Sequence, residues 1–394
     1  MKILFCNYEY PPLGGGGGVV MAALARELAR QHEITVITSR AFDLPAVSDD
    51  GGVRVVRTPV FFRRQMAVAN MASMLAFVPM AILRGLMLKH GRFDVVNTHF
   101  VVPSGPAGLT LARLNGAPHV LSLHGGDLYD PSKRISPHRH AWLRGPIRRM
   151  LNGADALVGQ SRNTVQHVRD IYRVDRNVHL IPLGIERPPV IIPAARDEFG
   201  LPKDAFVMTT VGRIVPRKAT VQLVHALKNS GLANAHLLIV GEGPDAAAVA
   251  RAAAEAGVQG RVHLLGPLVD EDKYRVLATS DVFVSTSQHE GFGLVFLEAM
   301  AMGLPIVCYD HGGQTDFLST RETGHVVALN DLDAFTRALV ELSRDATERA
   351  AIGVHNRKRA EQYFIDACAK RYEHIFSEVQ ERHCRSANQQ RTAT

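Results

Sequence analysis

Ser287-Gln-His-Glu290-Gly-Phe-Gly293-Leu-Val-Phe-Leu-Glu298-Ala-Met-Ala-Met-Gly303-Leu-Pro305 lies between two short apolar runs, Val282–Ser285 and Ile306–Cys308. Both runs have the length and apolar content of buried strands, and the stretch Leu294–Met302 between them reads as a helix closed by Gly303 and Pro305. Strand, loop, helix and strand in that order make a βαβ unit, which belongs to a parallel sheet. Two carboxylates stand eight residues apart across Gly-Phe-Gly. Glu298 falls inside the apolar helix, where an unpaired carboxylate is costly to bury. It needs a donor, and the hydroxyls of a ribose would supply two. Glu290 precedes the helix, whose free amides from Gly291 to Val295 can hold an anion.

The same rhythm extends in both directions. Upstream strands are expected at Phe206–Val211, Leu237–Val240 and Val262–Leu265, with helices at Val221–Asn229, Asp245–Ala256 and Asp270–Thr279. An earlier series places strands at Ile3–Cys6, Ile34–Thr38, Val53–Val56, Val95–Asn97, Val120–Leu123, Ala156–Val158 and Val178–Ile181. Its helices are Val19–Arg30, Gly105–Leu114 and Arg162–Ile171. Between the series, Arg187-Pro-Pro-Val-Ile-Ile-Pro193 carries three prolines, which neither a helix nor a central strand accommodates. Residues 1–186 and 194–365 therefore read as two doubly wound α/β domains facing a cleft, joined by the linker 187–193. Helices follow from about Asp331, and Ser386–Thr394 reads as a polar tail. In such sheets ligands bind at the carboxyl ends of the strands.

The 394 residues are 46% apolar and 21% charged, which excludes a disordered, collagen-like or disulfide-framework chain. Cys6, Cys308, Cys368 and Cys384 form no CxxC pair and read as small buried hydrophobes in a reducing compartment. Net charge is +7, but residues 1–186 hold 22 Lys and Arg against 13 Asp and Glu, leaving 23 against 25 in the rest. The positive field thus belongs to the first half, and it is densest from Pro131 to Ala154, at Lys133, Arg134, Arg139, Arg144, Arg148 and Arg149. This stretch is either a solvated helix face or a surface that meets an anion such as a membrane or a phosphorylated lipid. Lys2–Cys6 is too short for a signal-peptide core. Ala67–Leu83, flanked by Arg63, Arg64, Arg84 and Lys89, falls short of a spanning helix and reads as a core helix or an interfacial one.

Three further loops follow predicted strands. Gly14–Gly18 lets backbone amides approach a phosphate or an acceptor, yet no register gives GxGxxG and Thr38-Ser39-Arg40 lacks a ribose-binding acid. A dinucleotide site is therefore not expected. His124, followed by Gly125 and Gly126, is either a cleft-facing hydrogen-bond donor or proton carrier, or a structural partner. Gly212-Arg213-Ile-Val-Pro-Arg217-Lys218 places fixed cations where a diphosphate would lie. Asp270-Glu-Asp272 and Asp331-Leu-Asp333 have DxD spacing but fall at helix starts, so they read as caps and no metal is expected.

Taken together, these motifs resemble the retaining glycosyltransferases of family 4, the group 1 glycosyltransferases, from Met1 to about Arg382. The resemblance rests on the two-carboxylate motif at Ser287–Pro305, Gly212-Arg213 with Lys218, Pro182-Leu-Gly184, Gly241-Glu-Gly243, the glycine loop and His124-Gly125. It implies the GT-B fold, two Rossmann-like domains about a central cleft, with the acceptor in the first and a nucleoside-diphosphate sugar in the second. By the same resemblance, Arg213 and Lys218 neutralise the diphosphate and Glu298 holds the ribose. Glu290, with backbone amides near Phe292, Gly293 and Leu294, grips the transferred sugar and the phosphate. His124 touches the sugar, Gly15 and Gly16 approach the β-phosphate and the acceptor, and the base lies near Leu268. The last helix, 366–385, is expected to return to the first domain. The sequence departs from the family pattern at Thr286, at Lys218-Ala219 and at Gly312-Gly313-Gln314-Thr315-Asp316.

The implied activity is transfer of a hexose-type sugar from a nucleoside-diphosphate donor to a glycan or lipid-linked acceptor, with neither metal nor cofactor. A sugar-nucleotide epimerase of the same architecture and a silent nucleotide-sugar-binding protein are the alternatives. No nucleic-acid partner is expected, because the basic stretch lacks aromatic interleaving. The charge asymmetry suggests a cytoplasmic protein attached peripherally to the inner face of the membrane.

Overall fold

The computed structural model describes every residue except 64, 65, 67, 68, 89–91, 132–134, 393 and 394. Arg64, Ala67, Lys89, Lys133 and Arg134, named above, lie outside the described residues. The chain divides into two units, Met1–Ile185 with Ile365–Thr394, and Glu186–Phe364.

The first unit contains strands β1 (Lys2–Cys6), β2 (Glu33–Arg40), β3 (Val47–Asp50), β4 (Val53–Pro59), β5 (Val95–His99), β6 (His119–Leu123), β7 (Ala156–Gly159) and β8 (Val178–Leu180). They form one sheet in the order β3-β4-β2-β1-β5-β6-β7-β8, parallel except for β3 against β4. Strand β3 was not expected. Its Val-Ser-Asp-Asp sequence lacks a buried face because it caps an edge and only pairs with β4. The order reverses at β1, which lies between β2 and β5. The loop after β1 is therefore at the switch point of this sheet. The helix after that loop begins at Gly16 rather than Val19 and buries Met21, Leu24 and Leu28 against the sheet.

The chain leaves this unit at Ile185 and returns at Ile365, whose amide donates to the Ile185 carbonyl at 2.8 Å. Gly184 makes that approach feasible, since a Cβ there would lie 2.8 Å from the Ile365 Cα. The returning helix, Ile365–Thr392, packs Cys368, Tyr372, Phe376 and Val379 into the core formed by β1 and the Gly16–Ala29 helix. It runs through most of the expected polar tail, because the Ala, Gln and Arg residues there are good helix formers. Cys384 on this helix is exposed, contrary to the expectation of four buried cysteines.

The second unit contains β9 (Phe206–Val211), β10 (Ala235–Val240), β11 (Val262–Gly266), β12 (Val282–Ser285), β13 (Ile306–Tyr309) and β14 (Gly324–Val327). All are parallel, in the order β11-β10-β9-β12-β13-β14. Strand β14, too short and glycine-led to be read from sequence, closes the edge beside β13. Here the order reverses at β9, which has β10 on one side and β12 on the other. The loops after β9 and β12 are thereby made neighbours.

Helix Met71–Leu86 overlaps the segment read as a core helix or an interfacial one, and it packs one face into the core. Phe77 and Ala81 pack into the core, while Met71, Leu75, Leu83 and Leu86 are exposed. No helix among the described residues is long and apolar enough to cross a membrane.

If the returning helix completes the first core, Phe376→Ala removes a fully buried ring that meets Phe5 edge-on at 6.4 Å. The variant is expected to lose about 3–5 kcal/mol of stability in urea unfolding followed by circular dichroism. An unchanged midpoint would contradict the docking of this helix.

Candidate active site

The loop after β9 is drawn tight by glycines. The Gly212 amide donates to the Val240 carbonyl and the Ile214 amide to that of Glu242, at 2.9 and 2.8 Å. A side chain at Gly241 would meet the Gly212 oxygen at 2.0 Å, so only glycine fits there. A short 3-10 turn, Pro216–Lys218, then presents Arg217 and Lys218 toward the loop after β12. Ala219 adopts a left-handed φ of 46°, where the family pattern has glycine. The two loops are laced together. The Gln288 amide donates to the Arg217 carbonyl at 2.8 Å. The Thr286 hydroxyl lies 3.2 and 3.0 Å from the carbonyl oxygens of Lys218 and Ala219. Thr286, a departure from the family pattern, thus supplies a hydroxyl that closes the turn carbonyls.

Glu290 is the centre of this arrangement. It is only 6% exposed and pairs with Lys218 Nζ through Oε1, while Arg217 Nη1 lies 3.3 Å from Oε2. Arg217 also donates to the His289 carbonyl. Burial works to raise the Glu290 pKa, but Lys218 and Arg217 outweigh it and hold the carboxyl at about 2. Its backbone is fixed by Gly312 and Gly313. The Gly313 amide donates to the Glu290 carbonyl at 2.8 Å, and a Cβ on Gly312 would lie 2.3 Å from that oxygen. Gly293, with φ of 93°, then starts the helix Leu294–Ala301 and leaves its first amides without helical partners.

Arg213 and Lys218 were expected as the two phosphate-binding cations. The structure places Arg213 exposed on the same loop, with no described ion pair, and commits Lys218 together with Arg217 to Glu290. Arg217 was missed as a site residue, although its position one residue before Lys218 was a usable signal. Phe292 contributes backbone alone, since its ring is 3% exposed and packs on Phe317 at 5.1 Å. Leu294 opens the helix, and Leu268 is half-buried against Leu201, Val207 and Val276.

Glu298 has the donor that its burial demanded, and it is Lys273, at 2.9 Å. Burial pushes the Glu298 carboxyl pKa up, with Lys273 opposing. Lys273 also bonds Asp270 at 2.9 Å, and Asp272 faces Arg275 at 3.6 Å. Asp270 and Asp272 are therefore ion-paired first-turn acids, not the caps expected from sequence. Asp331 is a cap, accepting from the Ala334 amide at 2.8 Å. Gln314 is buried and donates to the Tyr309 and His311 carbonyls, bracing the turn behind Glu290.

The first unit holds the other expected residues. His124 is buried at the end of β6, its Nε2 2.9 Å from Nδ1 of His99, its ring stacked 4.1 Å from that of Phe100. Burial pushes its pKa down to about 3, and burial with His124 nearby also lowers that of His99. A neutral imidazole follows, suited to hydrogen bonding and not to carrying a proton near neutrality. His99, itself stacked on Phe5 and on Tyr372 of the returning helix, was missed because nothing in sequence ties β5 to β6 at that position. Gly15 caps the helix that opens at Gly16, and its amide donates to Glu9 Oε2 at 3.1 Å. The Gly15 amide is thus committed to a carboxylate of the chain.

Because the folded-state pKa of Glu290 lies below its ordinary value of 4.5, its contribution to stability is present above that value and lost as pH falls toward 2. The stability gap between wild type and Glu290→Gln should therefore shrink by roughly 3 kcal/mol from pH 4.5 to 2. Paired urea titrations across that range check it, and a gap independent of pH contradicts the ion pair.

Comparison with known proteins identifies the family of the chain. A family profile described as "Glycosyl transferases group 1" matches residues 192–359, and one described as "Glycosyltransferase Family 4" matches residues 14–187. A D-inositol 3-phosphate glycosyltransferase of Stackebrandtia nassauensis is 30% identical over 377 residues, covering 87% of this chain and 83% of that protein. A GDP-mannose-dependent alpha-(1-6)-phosphatidylinositol monomannoside mannosyltransferase of Mycolicibacterium smegmatis is 28% identical over 90% of this chain and 92% of its own length. Among solved structures, sucrose-phosphate synthase from Thermosynechococcus elongatus superposes with a TM-score of 0.82 at 21% identity, covering 96% and 99% of the two chains. That likeness shows the GT-B fold. With its two profile matches and its paired carboxylates at the β9–β12 switch point, this chain belongs to the family 4, group 1 glycosyltransferases.

Proposed function

We propose that the protein moves a hexose-type sugar from a nucleoside-diphosphate sugar to a glycan or lipid-linked acceptor, with retention of configuration and without a metal. The observation that carries this reading is the cationic cluster around Glu290. Arg217 and Lys218 against the single Glu290, with Arg213 exposed on the same loop, leave an excess of positive charge near the N-terminus of the Leu294–Ala301 helix. A departing nucleoside diphosphate gains negative charge, and preorganised cations and amides stabilise that charge as it develops. In this reading Arg213, exposed on the loop, meets the phosphates, and Lys218, paired with Glu290, adds its charge beside them. Glu290 then accepts from sugar hydroxyls, and Glu298, braced by Lys273, accepts from the ribose. With no carboxylate assigned as nucleophile, retention follows from a front-face reaction, in which the leaving phosphate takes the acceptor proton. Metal independence is supported by the DxD acids, since Asp270 and Asp272 face Lys273 and Arg275 and Asp331 caps a helix.

The acceptor side draws on the first unit. The two relatives described above are named for an inositol phosphate and a phosphatidylinositol mannoside. An anionic, lipid-linked acceptor in glycolipid or surface-polysaccharide assembly suits the excess of cations in residues 1–186. Exposed Met71, Leu75, Leu83 and Leu86 on one helix, and exposed Trp142 beside Arg144, Arg148 and Arg149 on another, support peripheral attachment to the cytoplasmic face of a membrane.

Thermal denaturation with UDP, GDP, ADP and NAD tests the donor site. One nucleoside diphosphate at about 100 times its dissociation constant should add roughly 2.7 kcal/mol, and Glu298→Ala should lose most of that gain. No response, or a response to NAD alone, refutes the assignment. Turnover of the cognate nucleotide sugar without acceptor would instead indicate an epimerase. Co-sedimentation at low salt should bring the protein down with anionic vesicles and leave it free of zwitterionic ones. Absence of binding to both removes the membrane reading and leaves the chemistry standing.

A further inference from the structure

Away from the paired carboxylates, the edge strand β14 carries a histidine whose ring nitrogen lacks a hydrogen-bond partner. His325 is 9% exposed, and its buried Nε2 makes no hydrogen bond. The nitrogen points toward Glu341 Oε2 at 3.9 Å, too far for a hydrogen bond. Glu348 completes the group, so that one ligand atom from each of His325, Glu341 and Glu348 lies within 4.8 Å of the others. A buried ring nitrogen without a partner calls for an explanation. Two carboxylates converging on it supply one.

We propose that His325, Glu341 and Glu348 form a binding site for a divalent transition metal of the zinc type, with water as the fourth ligand. Zinc holds imidazole nitrogen and carboxylate oxygen at about 2.0–2.2 Å, which puts two tetrahedral ligand atoms roughly 3.4 Å apart. The His325–Glu341 separation of 3.9 Å is close to that spacing, and the Glu341 side chain, 61% exposed, can close the remainder by rotation. Imidazole with two carboxylates favours zinc over magnesium or calcium, which take oxygen ligands.

The three ligands come from three elements. His325 lies on β14, Glu341 near the end of the Leu332–Arg344 helix, and Glu348 in the first turn of the Ala346–Ala360 helix. Asp345, between the helices, accepts the Glu348 amide at 2.8 Å and fixes the start of the second helix. A bound ion would tie the corner between the helices to the open edge of the second sheet. Arg337 and Arg344 line the same groove beside Glu341 and Glu348, and they oppose an ion there. Affinity must therefore come from the coordinate bonds, not from net negative charge. The role is structural and independent of the sugar-donor reading, so the two can fail separately.

Isothermal titration of the EDTA-treated full chain with zinc chloride at pH 7.5, beside thermal denaturation, tests the site. One zinc ion per chain should bind and raise the melting midpoint, while magnesium should do neither. His325→Ala and Glu348→Gln should each weaken that binding at least tenfold and abolish the metal-dependent rise. Glu348→Gln lies on a helix surface, so it serves if His325→Ala fails to fold. The exposed Cys384, next to His383, is a competing thiol, and the titration is repeated with Cys384→Ser. Binding that survives in Cys384→Ser and is lost in Glu348→Gln supports the assignment. Undiminished affinity in both ligand variants, an equal response to magnesium, or no zinc binding overturns it.

Discussion

The second unit is organised around one buried ion pair. Strands β9 and β12 are adjacent because the winding of the sheet reverses between them, and each sends its loop to the same end. The first loop brings Arg217 and Lys218, and the second brings Glu290. Neither charge set is stable there alone, since a buried carboxylate or ammonium without its partner costs several kcal/mol. Together they set the position of both loops, and the lacing bonds of Thr286 and Gln288 hold the geometry. The Gly312–Gly313 turn and the start of the Leu294–Ala301 helix are built against this pair.

Most of the architecture was legible in the sequence because parallel strands are apolar on both faces and so read as continuous runs. Phe206–Val211 and Val282–Ser285 match their strands at both ends. What escaped was what lacks such a run. Val47–Asp50 is polar because it only extends an edge, and Gly324–Val327 is four residues beginning with glycine. The site divides in the same way. Glu290 and Glu298 stood out as carboxylates in an apolar setting, and the cost of burying Glu298 pointed to an obligatory partner. The partner itself, Lys273, lies on another helix, 25 residues before it. Long-range pairing leaves no periodic trace, and so Lys273 and His99 became visible only once the chain was folded, whereas Arg217 stood beside Lys218 in the sequence and only its pairing with Glu290 was hidden.

The first unit places its polar groups by another physical route. His99 and His124 are joined nitrogen to nitrogen and walled by Phe5, Phe100 and Tyr372. Burial disfavours the charged form of both rings, so this pair rests on directional hydrogen bonding and stacking where the second unit rests on fixed charge. Tyr372 also donates to Ser122 at 3.1 Å, which ties the returning helix to β6, the strand that precedes His124. The aromatic wall is therefore complete only when that helix is docked.

The hydrogen bond between Ile365 and Ile185 closes a ring in the chain, with the whole of Glu186–Phe364 inside it. In topological terms the second unit is an insertion within the first. Domains generally fold as they leave the ribosome, the earlier before the later. Here the earlier one waits for its last helix, some 180 residues further along the chain. The second unit is complete in sequence before Tyr372, Phe376 and Val379 have been made, so the part of the first sheet's face that the Gly16–Ala29 helix leaves open stays uncovered until the end of synthesis. The first domain to begin is the last to be finished, and its core is incomplete throughout the interval between.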